Sequence, residues 1–274
     1  MPELPEVETV RRYLQNHLPG KSIQKIEIFL PRLIKNATPQ QFAAALENKK
    51  IKSVERRGKY LFLHMDGPQS LLIHLRMTGR LTYEEENSSV LPRFSRIIFQ
   101  LTQGRMLYGD VRTLGCLWLI PSVGLTGVKG CDTLGPDGTS PNFTAAYLRQ
   151  KLKNNTRTIK SFLLDQTNVA GLGNIYVDEA LFAAQIIPLR RCNRIGNKTT
   201  VRLHDAIVRV LEEGIMYGGT TIRDFINGSG KEGKNQHNLC VYGREGRPCP
   251  VCGTEIVYIK VAGRGTHYCP QCQK

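Results

Sequence analysis

Two Cys-x-x-Cys pairs near the carboxyl end constrain the fold of this chain more than any other feature. Cys249 and Cys252 form the first pair, and Cys269 and Cys272 form the second pair after 16 intervening residues. Each pair can place two sulfurs on one edge of a tetrahedron, which is the arrangement of a structural zinc site. Two unrelated redox pairs are the alternative, but the spacing favours a single site. We therefore predict one structural Zn²⁺ and a small module folded around it.

The charge of the chain predicts a polyanionic partner. Its 274 residues hold 38 Lys and Arg against 23 Asp and Glu, which gives a formal net charge of +15. Basic residues cluster in two stretches that contain no acid, residues 149–160 and 186–204. Such stretches are either solvated faces or phosphate-binding surfaces, and a protein can also be basic for solubility alone. Two of them together favour nucleic acid.

Membrane and secreted classes are disfavoured. No apolar run approaches the roughly 20 residues that a membrane-spanning helix needs. The first ten residues carry three glutamates, where a secretory signal would have an apolar core. Without such a signal, the eight cysteines are expected as thiols or metal ligands rather than disulfides. We therefore expect a cytoplasmic protein without a membrane partner.

Hydrophobic patterning predicts a helix followed by a β-rich region. Residues 4–18 place Val7, Val10 and Leu14 on one helical stripe, and Pro5 suits the first turn. Residues 22–120 contain short β-branched and aromatic runs separated by turn residues, which is typical of a β-sandwich or barrel. Examples of such runs are 23–29, 59–65, 71–75, 96–101 and 114–120.

The second half of the chain has helical periodicity and ends in a predicted hairpin. The glycine-rich stretch 121–141 indicates a linker, and residues 227–238 indicate a polar loop. Residues 255–261 and 266–268 predict two strands around the turn 262–265. The predicted helices are 143–153, 158–164, 175–184 and 199–217. We expect domains at 1–130, 131–234 and 235–274.

The first residues of the chain contain a candidate nucleophile. Removal of Met1 would expose Pro2 as a secondary amine, and such amines attack electrophilic carbons to form iminium ions. Glu3 is adjacent and Glu6 lies about one helical turn further on, where carboxylates can move protons to and from the amine. Proline and glutamate are also common at helix starts, so these residues alone support capping equally well.

Seven segments, in order along nearly the whole chain, resemble bacterial formamidopyrimidine-DNA glycosylases. They are PELPEVETVRR (2–12), ERRGKY (55–60), HLRMTGR (74–80), GDVRTLG (109–115), GLGNIYVDEALF (171–182), GGTTIRDF (218–225) and VAGRGTHYCPQCQ (261–273). The resemblance implies an α+β multidomain protein with an N-terminal β-sandwich behind a leading helix. It further implies a helix-two-turns-helix domain, a C-terminal zinc-finger β-hairpin and damaged double-stranded DNA as the partner of a monomer.

The resemblance also implies catalytic roles. Pro2 would attack the deoxyribose C1′ of the damaged nucleotide, and Glu3 would protonate the sugar ring oxygen. Lys59 would donate a proton and contact phosphate during β-elimination, and Arg264 at the hairpin tip would assist δ-elimination. Lys and Arg suit these positions because both neutralise phosphate. The implied activity is that of a glycosylase and abasic-site lyase acting on oxidised purines such as 8-oxoguanine.

Further positions are expected to handle DNA by the same resemblance. They are Glu6, His74, Met77, Arg96, Arg112, Leu114, Lys160 and Asn174. Asn174 follows two glycines at a helix start, where backbone N–H groups can face a phosphate, although an Asn cap without a ligand has the same geometry. His74 is either a hydrogen-bonded strand residue or a DNA contact.

Two of these positions depart from the family pattern. Met77, Arg112 and Leu114 would fill the gap that an everted base leaves, but the family has phenylalanine where this chain has Leu114. Arg96 stands where many relatives have histidine.

Two alternative functions remain at this point: an endonuclease VIII-like enzyme that prefers oxidised pyrimidines, and a zinc-finger DNA-binding protein without catalysis.

Overall fold

The computed structural model describes residues 1–85 and 91–274, which group into two compact units. The first unit contains residues 1–133 and 217–234, and the second contains residues 134–216 and 235–274. The segment 217–234 thus packs with the first unit although it follows the helices of the second in sequence. The division into three domains at 130 and 234 remains a prediction.

The first unit combines a leading helix with two four-stranded antiparallel sheets, in the orders β1-β6-β7-β5 and β2-β3-β4-β8. Its elements are α1 (Leu4–His17), β1 (Ile23–Ile28), α2 (Pro39–Leu46), β2 (Ile51–Arg57), β3 (Tyr60–Met65), β4 (Gln69–His74), β5 (Gly79–Glu84), β6 (Ser95–Leu101), β7 (Arg105–Asp110), β8 (Cys116–Pro121) and α3 (Lys129–Asp132). The predicted β-sandwich with a leading helix is confirmed.

The core of the first unit fixes the start of α1. Val7, Val10 and Leu14 are fully buried and pack with the inner faces of the sheets in one apolar cluster. Their spacing repeats with the helical period, so burying them sets the rotation of α1 about its axis. Phe225 joins the same cluster from the later segment. The sheets and the later segment that contains Phe225 therefore pack around α1 in one cluster, and this packing holds the residues just before the helix in place.

The second unit is helical and ends in a two-stranded hairpin. Its elements are α4 (Ala145–Lys153), α5 (Ile159–Leu164), α6 (Asn174–Ala183), α7 (Asn197–Met216), β9 (Val257–Val261) and β10 (Arg264–Tyr268). The four helices lie within two residues of their predicted ends. Thr144 and Thr158 begin α4 and α5 by accepting a hydrogen bond from a backbone N–H of the first turn.

Helix α6 lies at the centre of the second unit. Eight of its residues, from Ile175 to Phe182, are buried, and they include Asp178 and Glu179. An apolar helix that also buries two carboxylates must supply each of them with donors. Among the described residues, no helix is both long enough and apolar enough to cross a membrane.

Candidate active site and zinc centre

The residues at the start of α1 form a buried carboxylate pair. Glu3 and Glu6 are each 1% exposed, and Pro2 is buried while Met1 is exposed. The backbone N–H of Glu3 donates to Glu6 Oε2 at 2.8 Å, which is one half of a capping box. The positive end of the helix dipole favours both carboxylates here. The chain therefore presents Pro2 from a fixed backbone beside two acids.

The GGTTIRDF segment supports this pair from the same unit. The backbone N–H of Thr220 donates to Glu6 Oε1 at 2.7 Å. Gly219 has φ +86°, and a Cβ there would approach Phe225 to 2.9 Å and Glu6 Cγ to 3.1 Å. Glycine is thus required for both conformation and space. Glu6 is held between the start of α1 and this segment, and its expected contact with DNA remains a prediction.

Lys59 occupies the turn between β2 and β3. Gly58, with φ +56°, begins this two-residue turn, and Lys59 is almost fully buried. The sheet register places Tyr60 opposite His74, so the lysine turn lies beside the end of β4. The first unit therefore brings Lys59 and His74 together.

His74 is neutral in this setting. Burial, together with the nearby charges of Arg76 and Lys59, lowers the pKa of His74 to about 3. Its Nδ1 accepts a hydrogen bond from the backbone N–H of Arg76 at 3.0 Å, and Tyr60 packs edge-on against the ring at 4.6 Å. His74 is thus a hydrogen-bonded strand residue, which is one of the two alternatives that the sequence left open. Because Nδ1 is the acceptor, the proton of the neutral ring is on Nε2. A DNA contact of His74 remains a prediction.

The residues predicted to fill the gap in DNA lie on two loops of the first unit. Met77 is 37% exposed and Leu114 is 51% exposed, and Arg112 is also exposed. Exposed apolar side chains of this size on loop tips are available to a partner. Arg96, on β6, donates from Nε to the carbonyl oxygen of Asp110 at 3.0 Å, at the base of one of these loops.

Lys160 lies in the interior of the second unit rather than on its surface. Its Nζ donates to Asp178 Oδ1 at 2.6 Å and to the carbonyl oxygen of Gly265 at 2.9 Å. Asn174 Nδ2 donates to the same Gly265 oxygen at 2.9 Å. Both candidate phosphate contacts therefore hold the backbone of β10. Their contact with DNA remains a prediction.

Arg264 differs in placement from the expectation. The turn consists of Ala262 and Gly263 alone, with φ +50° and +73°, which is the conformation of a tight two-residue hairpin. Arg264 is therefore the first residue of β10, paired with Val261, rather than the tip of a four-residue turn. It is exposed and directly precedes Gly265. Lys160 and Asn174 both donate to the carbonyl oxygen of Gly265, so they hold the backbone next to Arg264.

Two carboxylates that sequence reasoning did not assign attach the zinc module to α6. Asp178 Oδ2 accepts from the backbone N–H of His267 at 2.9 Å. Glu179 accepts from the backbone N–H groups of residues 240, 241 and 242 at 2.8–2.9 Å. Burial raises the pKa of Glu179, although the three donors act in the opposite direction. The only sequence signal was a pair of acids inside the otherwise apolar VDEALF.

The four cysteines of the two pairs form one cluster. Their sulfurs lie within 4.8 Å of one another, with 3.9 Å between Cys249 and Cys272 and 3.5 Å between Cys252 and Cys269. Ligands at about 2.3 Å from a tetrahedral zinc would be about 3.8 Å apart, so the donor set fits this metal. The cluster is the site of one structural zinc, and the prediction from spacing is confirmed.

The protein alone does not ionise all four thiols of this cluster. Hydrogen bonds from Thr254 lower the pKa of Cys252 to about 6. Burial raises the pKa of Cys269 and of Cys272. A bound Zn²⁺ supplies the positive charge that keeps the thiolates deprotonated. Four protein ligands leave no position for an activated water, so the metal acts on structure rather than on chemistry.

The two acid-free basic stretches meet at one surface of the second unit. An open cavity of about 640 Å³ is lined by residues of α4, of the segment before α7 and of the start of α7. Its charged lining residues are Arg149, Lys153, Arg194 and Lys198, with no carboxylate among them. The sequence pattern that predicted a polyanion partner thus corresponds to a compact cationic surface.

Comparison with protein families covers the chain in three parts. Residues 1–117 match the formamidopyrimidine-DNA glycosylase N-terminal domain, and residues 134–226 match the H2TH domain of the same enzymes. Residues 246–274 match a zinc finger found in these glycosylases and in IleRS. This set defines a zinc-containing DNA-repair glycosylase, a class with abasic-site lyase activity. The chain belongs to the formamidopyrimidine-DNA glycosylase family.

Individual relatives agree over full length. The formamidopyrimidine-DNA glycosylase of Pelotomaculum thermopropionicum is 46% identical, covering 100% of this chain and 99% of the relative. That of Bacillus subtilis is 44% identical with the same coverage. A Lactococcus lactis glycosylase mutant in complex with Fapy-dG DNA is 40% identical, with a TM-score of 0.92 over 100% of both chains. The wild-type L. lactis protein has also been solved with DNA containing an oxidised pyrimidine, with a TM-score of 0.91, 40% identity and 100% coverage of both chains.

Proposed function

We propose that this chain excises oxidised purines from duplex DNA through the amine of Pro2 and then cleaves the strand by β- and δ-elimination. The observation that carries the proposal is the buried arrangement at the start of α1, where Glu3 and Glu6 flank the backbone that follows Pro2. Removal of Met1 is part of the proposal, because Pro2 nitrogen is otherwise a tertiary amide without an available lone pair.

The first step forms one bond and breaks another at C1′. Pro2 nitrogen attacks C1′, and the glycosidic bond breaks with its electron pair leaving on the base. The proton lost from the proline nitrogen neutralises the departing base, which restores the nitrogen lone pair for ring opening. Glu3 delivers a proton to the ring oxygen, the C1′–O bond opens, and an iminium ion remains between Pro2 and the sugar. Glu6 is hydrogen-bonded to the Glu3 and Thr220 backbones, so its part is to hold Glu3 in place.

The elimination steps use cations at the leaving phosphates. Loss of a C2′ proton expels the 3′ phosphate, and a second elimination expels the 5′ phosphate. Lys59 is proposed for the first elimination, where its ammonium can donate a proton and neutralise the leaving group. Arg264 is proposed for the second. The carbonyl oxygen of Gly265, the next residue, is held by Lys160 and Asn174, which supports a fixed position for the Arg264 backbone.

The preferred lesion is proposed from the family rather than from a pocket. Relatives have been solved in complex with DNA that contains Fapy-dG lesions, which supports oxidised purines as the substrate class. Within this class we expect 8-oxoguanine opposite cytosine to be the substrate. A second candidate is oxidised pyrimidines, because one L. lactis structure contains such a lesion. Monomeric binding to damaged duplex DNA in a bacterial cytosol is part of the same proposal.

A strand-cleavage assay tests this function directly. The chain is incubated with an 8-oxoguanine·cytosine duplex, a thymine-glycol duplex and a duplex with a pre-formed abasic site. We expect cleavage of the first and third substrates, with the thymine-glycol duplex cut more slowly. Faster cleavage of thymine glycol would favour the endonuclease VIII-like alternative. Binding without cleavage of any substrate would leave only a DNA-binding protein.

A further inference from the structure

Asp110 lies at the end of β7, is 1% exposed, and has no role in the chemistry described above. Its Oδ1 accepts a hydrogen bond from Thr78 Oγ1 at 2.6 Å. Its Oδ2 accepts from the backbone N–H of Gly115 at 2.8 Å. One buried carboxylate therefore joins the loop after β4, which contains Thr78, to the loop before β8, which ends at Gly115.

Thr78 makes a second connection between the same loops. Its Oγ1 accepts a hydrogen bond from the backbone N–H of Arg112 at 2.9 Å while donating its own proton to Asp110. The hydroxyl and the carboxylate thus form one continuous network from Arg112 to Gly115. Hydrogen bonds to a carboxylate are stronger than neutral ones, and a buried donor left without its partner is costly.

The backbone of both loops needs such support. Arg76 and Thr113 each have φ +56°, a conformation that non-glycine residues adopt only when their surroundings enforce it. A Cβ on Gly115 would overlap the hydroxyl of Tyr108, and one on Gly79 would lie 2.7 Å from the same hydroxyl. The bases of the two loops are therefore closely packed, while Met77 and Leu114 at their tips are exposed.

We propose that Asp110 is a positioning residue that, through Thr78, holds the two loops in one register. Met77, Arg112 and Leu114 then enter the DNA as a single preformed unit when the damaged base leaves the stack. The inference rests on the proposed function, because eversion of a base requires that something fill the gap. Without the network, each loop would have to be ordered separately during insertion.

The test separates insertion from chemistry. A duplex containing a tetrahydrofuran abasic-site analogue and an adjacent 2-aminopurine reports insertion as a fluorescence increase without any bond cleavage. Asp110→Asn keeps the shape of the side chain but removes one acceptor. We expect the equilibrium constant for insertion to fall about ten-fold, the scale of one or two lost buried hydrogen bonds. Asp66→Asn controls for the loss of one carboxylate charge, since the Asp66 side chain accepts from the Lys50 backbone at a different, exposed turn of the unit.

Thr78 variants test the network independently of Asp110 and without removing a charge. Thr78→Val is isosteric and lacks the hydroxyl, so insertion should fall as it does in Asp110→Asn. Thr78→Ser retains the hydroxyl and should restore insertion to near the unaltered level. In the double variant Asp110→Asn/Thr78→Val the two losses should be clearly less than additive, because both changes break one network. If Asp110→Asn fails to fold, the Thr78 pair decides the matter.

Borohydride trapping at an abasic site in a single strand supplies the second readout. No base pair has to be opened there, so trapping by Asp110→Asn and Thr78→Val should equal that of the unaltered chain. Equal loss of trapping and insertion would overturn the proposal in favour of a general structural role. Unchanged insertion in both variants would also overturn it. Failure of the unaltered chain to release oxidised purines would refute the proposed function instead, while the fluorescence signal would still report on the loops.

Discussion

Lys160 Nζ and Asp178 Oδ1 lie 2.6 Å apart in an ion pair with no exposed surface on either side chain. Both partners also bind β10, Lys160 through the Gly265 oxygen and Asp178 through the His267 N–H. The pair therefore connects α5, α6 and the zinc hairpin. This geometry indicates that Lys160 holds the hairpin in position. A direct contact between Lys160 and a DNA phosphate would be a separate role.

Lys160→Ala distinguishes these two roles. A direct phosphate contact should reduce the slope of log affinity against log salt concentration by about one. A buried pair predicts an unchanged slope and a loss of about 3–5 kcal/mol in the free energy of unfolding, because Asp178 keeps an unpaired buried charge. The measurements are denaturant unfolding and binding of an undamaged duplex at several salt concentrations. Lys160→Met/Asp178→Asn should recover much of the stability, because the amide oxygen is neutral and can still accept from the His267 N–H. A lower slope with intact stability would instead support direct contact.

Zinc removal should affect DNA binding through the hairpin. Cys249→Ser removes one of four ligands, so the zinc content should fall and the β9–β10 hairpin should lose its protection from hydrogen exchange. Because the hairpin contains Arg264, affinity for duplex DNA should fall with it. Cys240→Ser is the control, since Cys240 lies outside the cluster and should leave the zinc content unchanged. Normal duplex affinity in metal-free Cys249→Ser would contradict a structural role for the metal.

His74 should remain neutral well below physiological pH. Its pKa in the folded chain is lowered to about 3, so between that pH and about 6.5 the unfolded state binds more protons than the folded state. The free energy of unfolding should therefore decrease as the pH falls below about 6.5, by about 2 kcal/mol from this residue at pH 5. The NMR signal of the imidazole should show no titration from pH 8 to pH 5. His74→Gln should lose this component, and a midpoint near pH 6.5 would show that the residue is exposed.

The sequence predicted the fold class because the apolar periods and the cysteine spacing are local signals. It did not single out β2 (Ile51–Arg57), where only Ile51 and Val54 are buried and four of the seven residues are charged. Such a strand is defined by its neighbours in the sheet rather than by its own pattern. The packing of Phe225 with the first unit likewise depends on contacts between residues far apart in sequence, so no local pattern predicts it.

The site could be predicted only as far as motifs reach. The zinc ligands followed from spacing, and Pro2 with Glu3 followed from the resemblance. The partners of Lys160 did not, because a lysine in a basic stretch is usually solvated and its burial depends on Asp178, 18 positions later. The role of Asp110 was hidden in the same way, since a motif shows that a carboxylate is present but not what it accepts from.

Leu114→Phe should preserve or increase excision from duplex DNA. A leucine is an apolar wedge, but it offers less flat surface to a base pair than phenylalanine does. Leu114 is 51% exposed, so the larger ring meets no packed core. Single-turnover excision from a lesion duplex measures the effect, and cleavage at a pre-formed abasic site should change little. Faster duplex excision by Leu114→Ala would contradict the assignment of this side chain as a wedge.

Borohydride should trap a covalent complex between Pro2 and DNA. An iminium ion between the proline nitrogen and C1′ is reduced to a stable amine, and the cross-link should map to the peptide that begins at Pro2. It should vanish in protein that retains Met1, which intact-mass measurement identifies. Zinc content and binding of an undamaged duplex, measured on the same sample, are the folding control. Both should be unchanged, because Met1 is an exposed residue.

Substitutions at Glu3 and at Lys59 should separate the two chemical stages of the same reaction. Glu3→Gln should impair base release more than lyase action on a pre-formed abasic site, because ring opening from the intact nucleotide needs that proton first. Lys59→Ala should do the reverse if its ammonium serves the elimination. The competing assignment makes Lys59 the nucleophile, since lysine amines also form Schiff bases. Trapping that persists in Met1-retaining protein and maps to Lys59 would establish that alternative, whereas trapping lost with Met1 and kept in Lys59→Ala identifies Pro2.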